Sequence, residues 1–367
     1  MLPPKGTRIL VAMSGGVDSA VTAALLVEAG YECFGVTMRL VPEPENKPVF
    51  EPCCGLEAAN DARRVCDRVG IPHEVLHAVD RFDRDIIQFF TAEYDAGRTP
   101  NPCVRCNRMI KFGALYQRAD ELGAPYIAMG HYARLEERDG RMGLRRAVHR
   151  PKDQSYVLAP LTQPQLRRAL FPLGELTKEA VRERARSVDL RSANKPESQE
   201  ICFVSDNNYR NFLEERLGAA KHGDIVTVDG EVVGRHTGLP HYTPGQRKGL
   251  GIAAERPYYV VRLDTTRNAV IVAHEEETLV EEFETSRLAW GVMPRQEAAF
   301  DCLVQLRSRH TPVPATVTPI RAGARIRLHT PQRAVTPGQW AVLYDEEGFV
   351  LASAPVRSFA LVDAAKR

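Results

Sequence analysis

The chain has 367 residues, 44% of them hydrophobic, with 49 basic against 47 acidic side chains and a net charge of +2. That describes a soluble globular protein long enough for two or three domains. No run approaches the ~18 apolar residues of a membrane span, and so small a net charge does not by itself imply nucleic acid. Met1–Lys5 lacks the pattern of a secretory leader and a strand pattern begins almost at once, so a cytoplasmic enzyme is expected.

The apolar run Ile9–Ala12 leads into Ser14-Gly15-Gly16-Val17-Asp18-Ser19 and then a helical stretch, Ala20–Glu28. A strand feeding a glycine turn that opens a helix is an anion site, because unpaired N–H groups point outward there. Gly15 and Gly16 allow close backbone approach, Ser14 and Ser19 offer hydroxyls, and Asp18 beside phosphate implies a cation between them, read as magnesium. The loop lacks the lysine of G-x-x-x-x-G-K-[ST], which disfavours transfer of a terminal phosphoryl group.

Strand patterns at 8–12, 33–40, 73–78 and 125–129 alternate with helical ones at 18–29, 57–69, 82–96 and 108–122. That order predicts an α/β fold, a doubly wound parallel sheet covered on both faces. Its ligands bind at the carboxyl ends of strands, where Ser14, Met38 and Gly130 would stand. Pro42–Glu57 is a proline-rich insertion. Two strand patterns then flank Asp139-Gly140, a hairpin signal, and helices follow at 162–170 and 177–187, the latter capped by Thr177. The polar loop Ser192–Ser198 runs into Glu200-Ile201-Cys202-Phe203, and a helix near 207–217 closes a first domain, 1–217.

After Lys221 the pattern turns to strands. Two hairpins, 224–234 and 257–273, surround the basic loop Thr243–Gly251 and predict a small mixed β domain, 218–283. Short alternating strands with Pro/Gly turns from Ser286 onward predict a C-terminal antiparallel barrel, 284–367. Arg141, Arg145, Arg146, Arg150 and Lys152 cluster, and His274–Glu284 is acidic; such runs are solvated faces or, for the basic one, a surface for a polyanion.

Eight cysteines in a cytosolic chain argue for metal or reactive-thiol chemistry at a subset. Cys33 and Cys66 fall in apolar patterns and read as core, as does Cys302. Cys103 and Cys106 precede a helix beside Arg105 and Arg108, which favours thiolate. Cys202 lies in a polar loop, where a core role is unexpected. A lone C-x-x-C suits zinc or thiol exchange, but no second C-x-x-C or His pair completes a tetrahedral zinc set, which lowers the zinc reading. With a nucleotide loop the separated thiols gain a joint meaning: adenylation makes an oxygen a leaving group, and one thiol carries sulfur while a second assists its release.

S-G-G-V-D-S resembles the pyrophosphate loop of N-type ATP pyrophosphatases. With A-G-R-T-P-N-P-C-V-R-C-N at 96–107, G-H-Y-A-R at 130–134, K-D-Q-S-Y at 152–156, S-Q-E-I-C-F at 198–203, P-G-Q-R-K-G-L at 244–250 and P-G-Q at 337–339, the whole chain resembles the bacterial tRNA 2-thiouridylase family. The resemblance implies replacement of the C2 oxygen of the wobble uridine by sulfur in tRNAs for Lys, Glu and Gln, with ATP cleaved to AMP and pyrophosphate. It implies Cys106 as catalytic nucleophile and Cys202 as persulfide carrier, joined in a transient disulfide. Ala12, Met13, Ser14, Gly15, Gly16, Val17, Asp18 and Ser19 would hold ATP with Mg2+, with Met38 and Gly130 at the adenine side. Asn101, Pro102 and Cys103 would surround the target base. Lys152, Asp153 and Gln154 would touch tRNA, as would His131, Arg309, His310 and Gln339. The sulfur would come from a persulfide donor or sulfur-relay protein.

One departure bears on the chemistry: many members carry aspartate where this chain has Cys103. Either Cys103 replaces a polar base-facing residue, or Cys103, Cys106 and Cys202 together hold an iron–sulfur cluster with one open iron. Two rivals stand beside thiolation. A ligase that adenylates another acceptor would leave Cys106 and Cys202 idle. A zinc or redox module with a nucleotide-sensing domain would show no turnover.

Overall fold

Ile9, Leu10 and Val11 are fully buried, so the first strand, β1 (Arg8–Ala12), has apolar neighbours on both faces, as a central parallel strand does. The structure is a computed structural model describing residues 3–42, 55–188, 201–204 and 208–362. Cys53, Cys54 and the Ser192–Ser198 loop lie outside the described residues.

Helix α1 (Val17–Glu28) carries the chain to β2 (Glu32–Arg39), and α2 (Leu56–Val69) to β3 (His73–His77). Two helical runs follow, each bridged by a π turn: α3 (Val79–Phe82) and α4 (Gln88–Asp95), then α5 (Pro102–Cys106) and α6 (Phe112–Glu121). Next come β4 (Tyr126–Ala128), a hairpin of β5 (Ala133–Arg138) and β6 (Arg141–Arg146), α7 (Ser155–Leu158), α8 (Gln163–Arg167) and β7 (Ala169–Leu170). Helices α9 (Lys178–Ser187) and α10 (Tyr209–Leu217) end this part. The sheet is parallel in the order β3-β2-β1-β4-β7, as expected for a doubly wound α/β fold. Strand order reverses between β1 and β4, which opens a crevice at their carboxyl ends.

Side-chain alternation along β1 divides the core into two layers. Ile9, Val11 and Met13 face α1, α2 and α9, while Leu10 faces a layer holding Met38, Met129, Phe82, Phe90 and Cys106. The cysteine helix begins at Pro102, not 108. The Asn101 side chain accepts from the Val104 N–H at 3.3 Å, and Pro102 takes the first helical position, where its missing N–H is harmless. Helix α8 stops at Arg167 because Ala169 and Leu170 pair with β4 instead.

A four-stranded sheet follows, in the order β10-β11-β8-β9: β8 (Gly223–Thr227), β9 (Val232–His236), β10 (Tyr259–Asp264) and β11 (Ala269–Ala273). Then β12 (Leu279–Thr285), β13 (Ala289–Trp290), β14 (Phe300–Gln305), β15 (Val313–Ile320), β16 (Gly323–Arg333), β17 (Trp340–Tyr344) and β18 (Val350–Leu361) form an antiparallel sheet. Pairing of β12 with both β16 and β18 closes six of these strands into a barrel, with the two-residue β13 paired to β18 alone. Strand β12 straddles the boundary expected at 283/284. Its outward Glu281, Glu282 and Glu284 pair with Arg327, Arg325 and Arg357, so this acidic run is one side of a surface charge ladder.

Part of the basic cluster joins the first domain to the barrel. Arg141 donates to the Gly291 carbonyl, Arg145 to the Glu347 carbonyl, and Arg146 to Asp153 while lying over the Tyr344 ring. The Tyr156 hydroxyl donates to the Trp340 carbonyl at 2.9 Å and accepts from the Trp340 N–H at 3.2 Å. Tyr156→Phe leaves both backbone groups of Trp340 unpaired in a buried junction. We expect a loss of about 1–3 kcal/mol, measured by denaturant unfolding, with the shortfall appearing in the barrel-to-domain contact rather than in secondary structure.

Candidate active site

The glycine turn sits in the crevice between β1 and β4. Gly15 has φ +70, and a Cβ there would lie 2.5 Å from the Ala58 carbonyl oxygen of α2, so only glycine fits. Ser19 Oγ donates to the Gly16 carbonyl at 3.0 Å and accepts from the Ser14 N–H at 3.2 Å, which curls the loop. Gly16 is the N-cap of α1 and brings no side-chain acceptor. The first-turn N–H groups therefore lack a capping partner, and the turn keeps its capacity for an anion. Ser14 is exposed; Met13, Gly15, Val17 and Ser19 are buried, and Ala12, Gly16 and Asp18 are partly exposed.

Asp18 is not solitary. Lys178 Nζ lies 2.7 and 2.9 Å from its two carboxylate oxygens, and the Tyr132 hydroxyl donates to it at 2.9 Å. Lys178 is 4% exposed, so its charge is placed by the fold. The cation beside Asp18 is thus an ammonium from the first position of α9, whose N-cap Thr177 accepts from the Ala180 N–H as expected. Across the crevice, a Cβ on Gly130 would come 2.8 Å from the Asp18 backbone, so the end of β4 packs directly on the loop. Met38 is buried at the end of β2.

Beyond Gly130, the partly exposed His131 is held well below its ordinary pKa by desolvation, with Lys111 adding to the effect, and is neutral at pH 7. Asp153 accepts from Arg146, from the Ala147 and Ser155 N–H groups and from Ser155 Oγ. Gln154 accepts from the Tyr132 N–H at 2.9 Å. These two side chains therefore shape the turn that presents Tyr132 to Asp18, and Lys152 stands beside them, partly exposed.

Burial sorts the thiols. Desolvation pushes Cys33 up to about 11 and Cys66 and Cys302 up to about 12, which makes them inert packing residues. Cys103 is exposed on α5, whereas Cys106, one turn further on, is 7% exposed and belongs to the core layer of Met38 and Met129. Ile201 and Cys202 pack against that same layer, although Cys202 is 96 positions away in sequence (202 − 106). Phe203 anchors them. Its ring centroid lies 5.8 Å from Phe82, 5.2 Å from Phe90 and 5.2 Å from Phe212, mostly edge-on. Among the described residues no group of three or more His, Cys, Asp or Glu side chains is placed to hold a metal ion.

Asn101 and Pro102 start the cysteine helix, as above. The remaining expected RNA contacts lie on the barrel. His310 interacts with Gln332 at 3.2 Å and is lowered in pKa chiefly by desolvation, and Arg309 precedes it. Gln339 donates its amide to the Thr99 carbonyl at 2.9 Å. A separate cleft of about 230 Å³ between the central sheet and the barrel carries Arg247, Arg307 and Arg333 on its walls. The sequence offered no signal for Lys178 as a site residue. Tyr132 and Phe203 stand inside motifs already singled out, as neighbours of the residues that drew attention.

Comparison with known proteins adds the following. Residues 7–206 match the family described as tRNA methyl transferase HUP domain, residues 210–274 its PRC-barrel domain, and residues 280–356 the aminomethyltransferase beta-barrel domain. A tRNA-specific 2-thiouridylase MnmA of Carboxydothermus hydrogenoformans is 51% identical over 344 residues, covering 92% of this chain and 94% of the relative. The protein of the same name from Heliobacterium modesticaldum is 45% identical over 359 residues, 96% of this chain and 93% of the relative. That from Geobacter metallireducens is 48% identical, covering 92% and 93%.

Phe203→Ala removes the anchor of the Cys202 segment, a loss of about 3–5 kcal/mol of local packing. Alkylation of Cys202, followed by peptide mass spectrometry, should accelerate at least tenfold, about 1.4 kcal/mol or more, while Cys66 stays unmodified.

Proposed function

The chain belongs to the tRNA-specific 2-thiouridylase family, and from that premise we propose that it replaces the C2 oxygen of a tRNA wobble uridine by sulfur at the expense of ATP. The observation that carries this reading is the meeting of two features: an uncapped glycine turn at the sheet's switch point, and two sequence-distant thiols in the adjoining core layer. The matched family descriptions speak of methyl transfer and the relatives of thiolation. Two thiols from distant segments that reach one core favour sulfur.

ATP lies along Ala12–Ser19, its phosphates on the N–H groups that open α1, with Met38 and Gly130 at the adenine side. Lys178 leaves Asp18 for the phosphates as they arrive, so the buried ammonium supplies the charge that the missing phosphate-loop lysine would bring. Asp18 would be the loop carboxylate available to a magnesium ion on the triphosphate, and such an ion would neutralise charge on the phosphate oxygens. The uridine C2 oxygen attacks the α-phosphorus and pyrophosphate leaves. The terminal sulfur of a Cys202 persulfide then attacks C2 and AMP departs with the former oxygen. The Cys106 thiolate attacks the Cys202 sulfur, which leaves sulfur on the base and a Cys106–Cys202 disulfide. A dithiol reductant reopens that bond.

Asn101, Pro102 and Cys103 flank the target base, with Cys103 as a polarisable, exposed neighbour. Lys152, neutral His131, Arg309 and His310 contribute to the RNA-facing surface, and Arg247 and Arg307 bring positive charge for a backbone phosphate to the cleft, whose third arginine, Arg333, is paired with Glu275. The substrates are tRNAs for Lys, Glu and Gln, and the sulfur reaches Cys202 from a persulfide donor or relay protein.

The test is mass spectrometry of nucleosides from tRNA incubated with ATP and a persulfide donor. Wild type should form 2-thiouridine with matching AMP and pyrophosphate. Cys106→Ser and Cys202→Ser should each lose at least 100-fold; full activity in either variant would overturn the sulfur-relay reading. Lys178→Met should weaken ATP binding at least tenfold, about 1.4 kcal/mol, with tRNA affinity unchanged in a filter-binding assay.

A further inference from the structure

The segment between α4 and α5, residues 96–101, is gripped from two sides by the two β domains. On one side, Gly97 has φ +71, and a Cβ there would meet Thr265 Cγ2 at 2.9 Å and Leu263 Cβ at 3.4 Å, both beside or within β10. On the other, the turn before β17 closes on Thr99. The Thr99 N–H donates to the Pro337 carbonyl at 3.0 Å, and Gln339 Nε2 donates to the Thr99 carbonyl at 2.9 Å. Gly338 lies between these bonds with φ +94, and a Cβ there would stand 2.9–3.1 Å from the Thr99 backbone.

Thr99 is 9% exposed, so both of its backbone groups find their partners in another domain rather than in water. The turn itself is rigid: Gly338 N–H donates to the Val356 carbonyl at 3.0 Å, and Val356 N–H to the Gln339 carbonyl at 2.7 Å, tying it to β18 of the closed barrel. Two residues beyond Thr99 stands Asn101, the N-cap of the helix that carries Cys106. A displacement of Thr99 therefore moves the start of α5, and no flexible linker lies between.

We propose that residues 96–101 are a strap through which the central domain and the barrel set the position of Cys106, with Gly338 and Gln339 as positioning residues. The proposal rests on the role given to Cys106 above. In it, the Gln339 amide serves the thiol through Thr99, in place of the direct RNA contact expected from the resemblance. Both β domains then contribute to the chemistry even where they touch no substrate, and RNA bound on either has a mechanical route to the nucleophile.

The test uses the full chain with Gln339→Glu, which keeps shape and loses the donor, and Gly338→Ala, which forces the turn off Thr99. Three quantities are read: kcat and KM for thiolation, tRNA affinity over a salt series, and the iodoacetamide alkylation rate of Cys106 against Cys66. With the strap loosened, kcat should fall at least tenfold, tRNA KM and salt slope should stay within twofold, and Cys106 alkylation should rise at least threefold with Cys66 unchanged. Weaker tRNA binding with unchanged kcat and unchanged Cys106 alkylation would make Gln339 an RNA contact and overturn the proposal. Unchanged values throughout in Gln339→Glu would also overturn it, even if Gly338→Ala failed to fold. Cys106→Ser separates the two readings. Its full activity would remove the nucleophile assignment, whereas an altered Cys106 alkylation rate in the strap variants reports the mechanical coupling whatever Cys106 does.

Discussion

Asp18 is the point on which the site depends. A carboxylate at the mouth of a helix would repel an anion there unless its charge were balanced. Here the balance comes from Lys178, buried at the start of α9, and from the Tyr132 hydroxyl after β4. Breaking a pair of this kind leaves an uncompensated charge, so the three elements that supply it are held in one arrangement. Close contact of Gly130 with the loop backbone has the same effect from the other wall. The loop is therefore held from both walls of the crevice by the protein's own groups.

The same economy of contacts runs through the rest of the molecule. Arginines that look like a surface for a polyanion instead bind the first domain to the barrel through carbonyls and ring faces. Asp153 and Gln154 turn their polar atoms inward and hold the Tyr132 turn. A cluster of charge in sequence says nothing about direction, and in this fold much of it is directed at the protein's own backbone.

The thiols divide along the same physical line. Cys33, Cys66 and Cys302 are desolvated and raised in pKa, so they remain protonated and inert. Cys106 lies in the same buried core as Met38 and Met129, and Cys202 packs, partly buried, against that core. Phe203 fastens one of them through an aromatic cluster, and the strap before Asn101 fastens the other. For sulfur transfer of the kind proposed, both fastenings would matter, since a thiol displaced by an ångström loses much of its advantage in rate.

Much of this was legible in the linear chain. Alternating strand and helix periods determined the parallel sheet, the glycines after a buried strand determined a tight turn at the start of a helix, and the motif series determined the family. Asn101-Pro102 also carries a helix start, a capping side chain followed by proline at the first helical position, ahead of the helix expected from 108. What only the tertiary structure decided was partnership between distant residues: Lys178 with Asp18 across 160 positions, Gln339 with Thr99 across 240, and Cys202 with the layer of Cys106. Such contacts leave no periodicity in sequence, because they are set by which surfaces come together once each domain has closed on its own core.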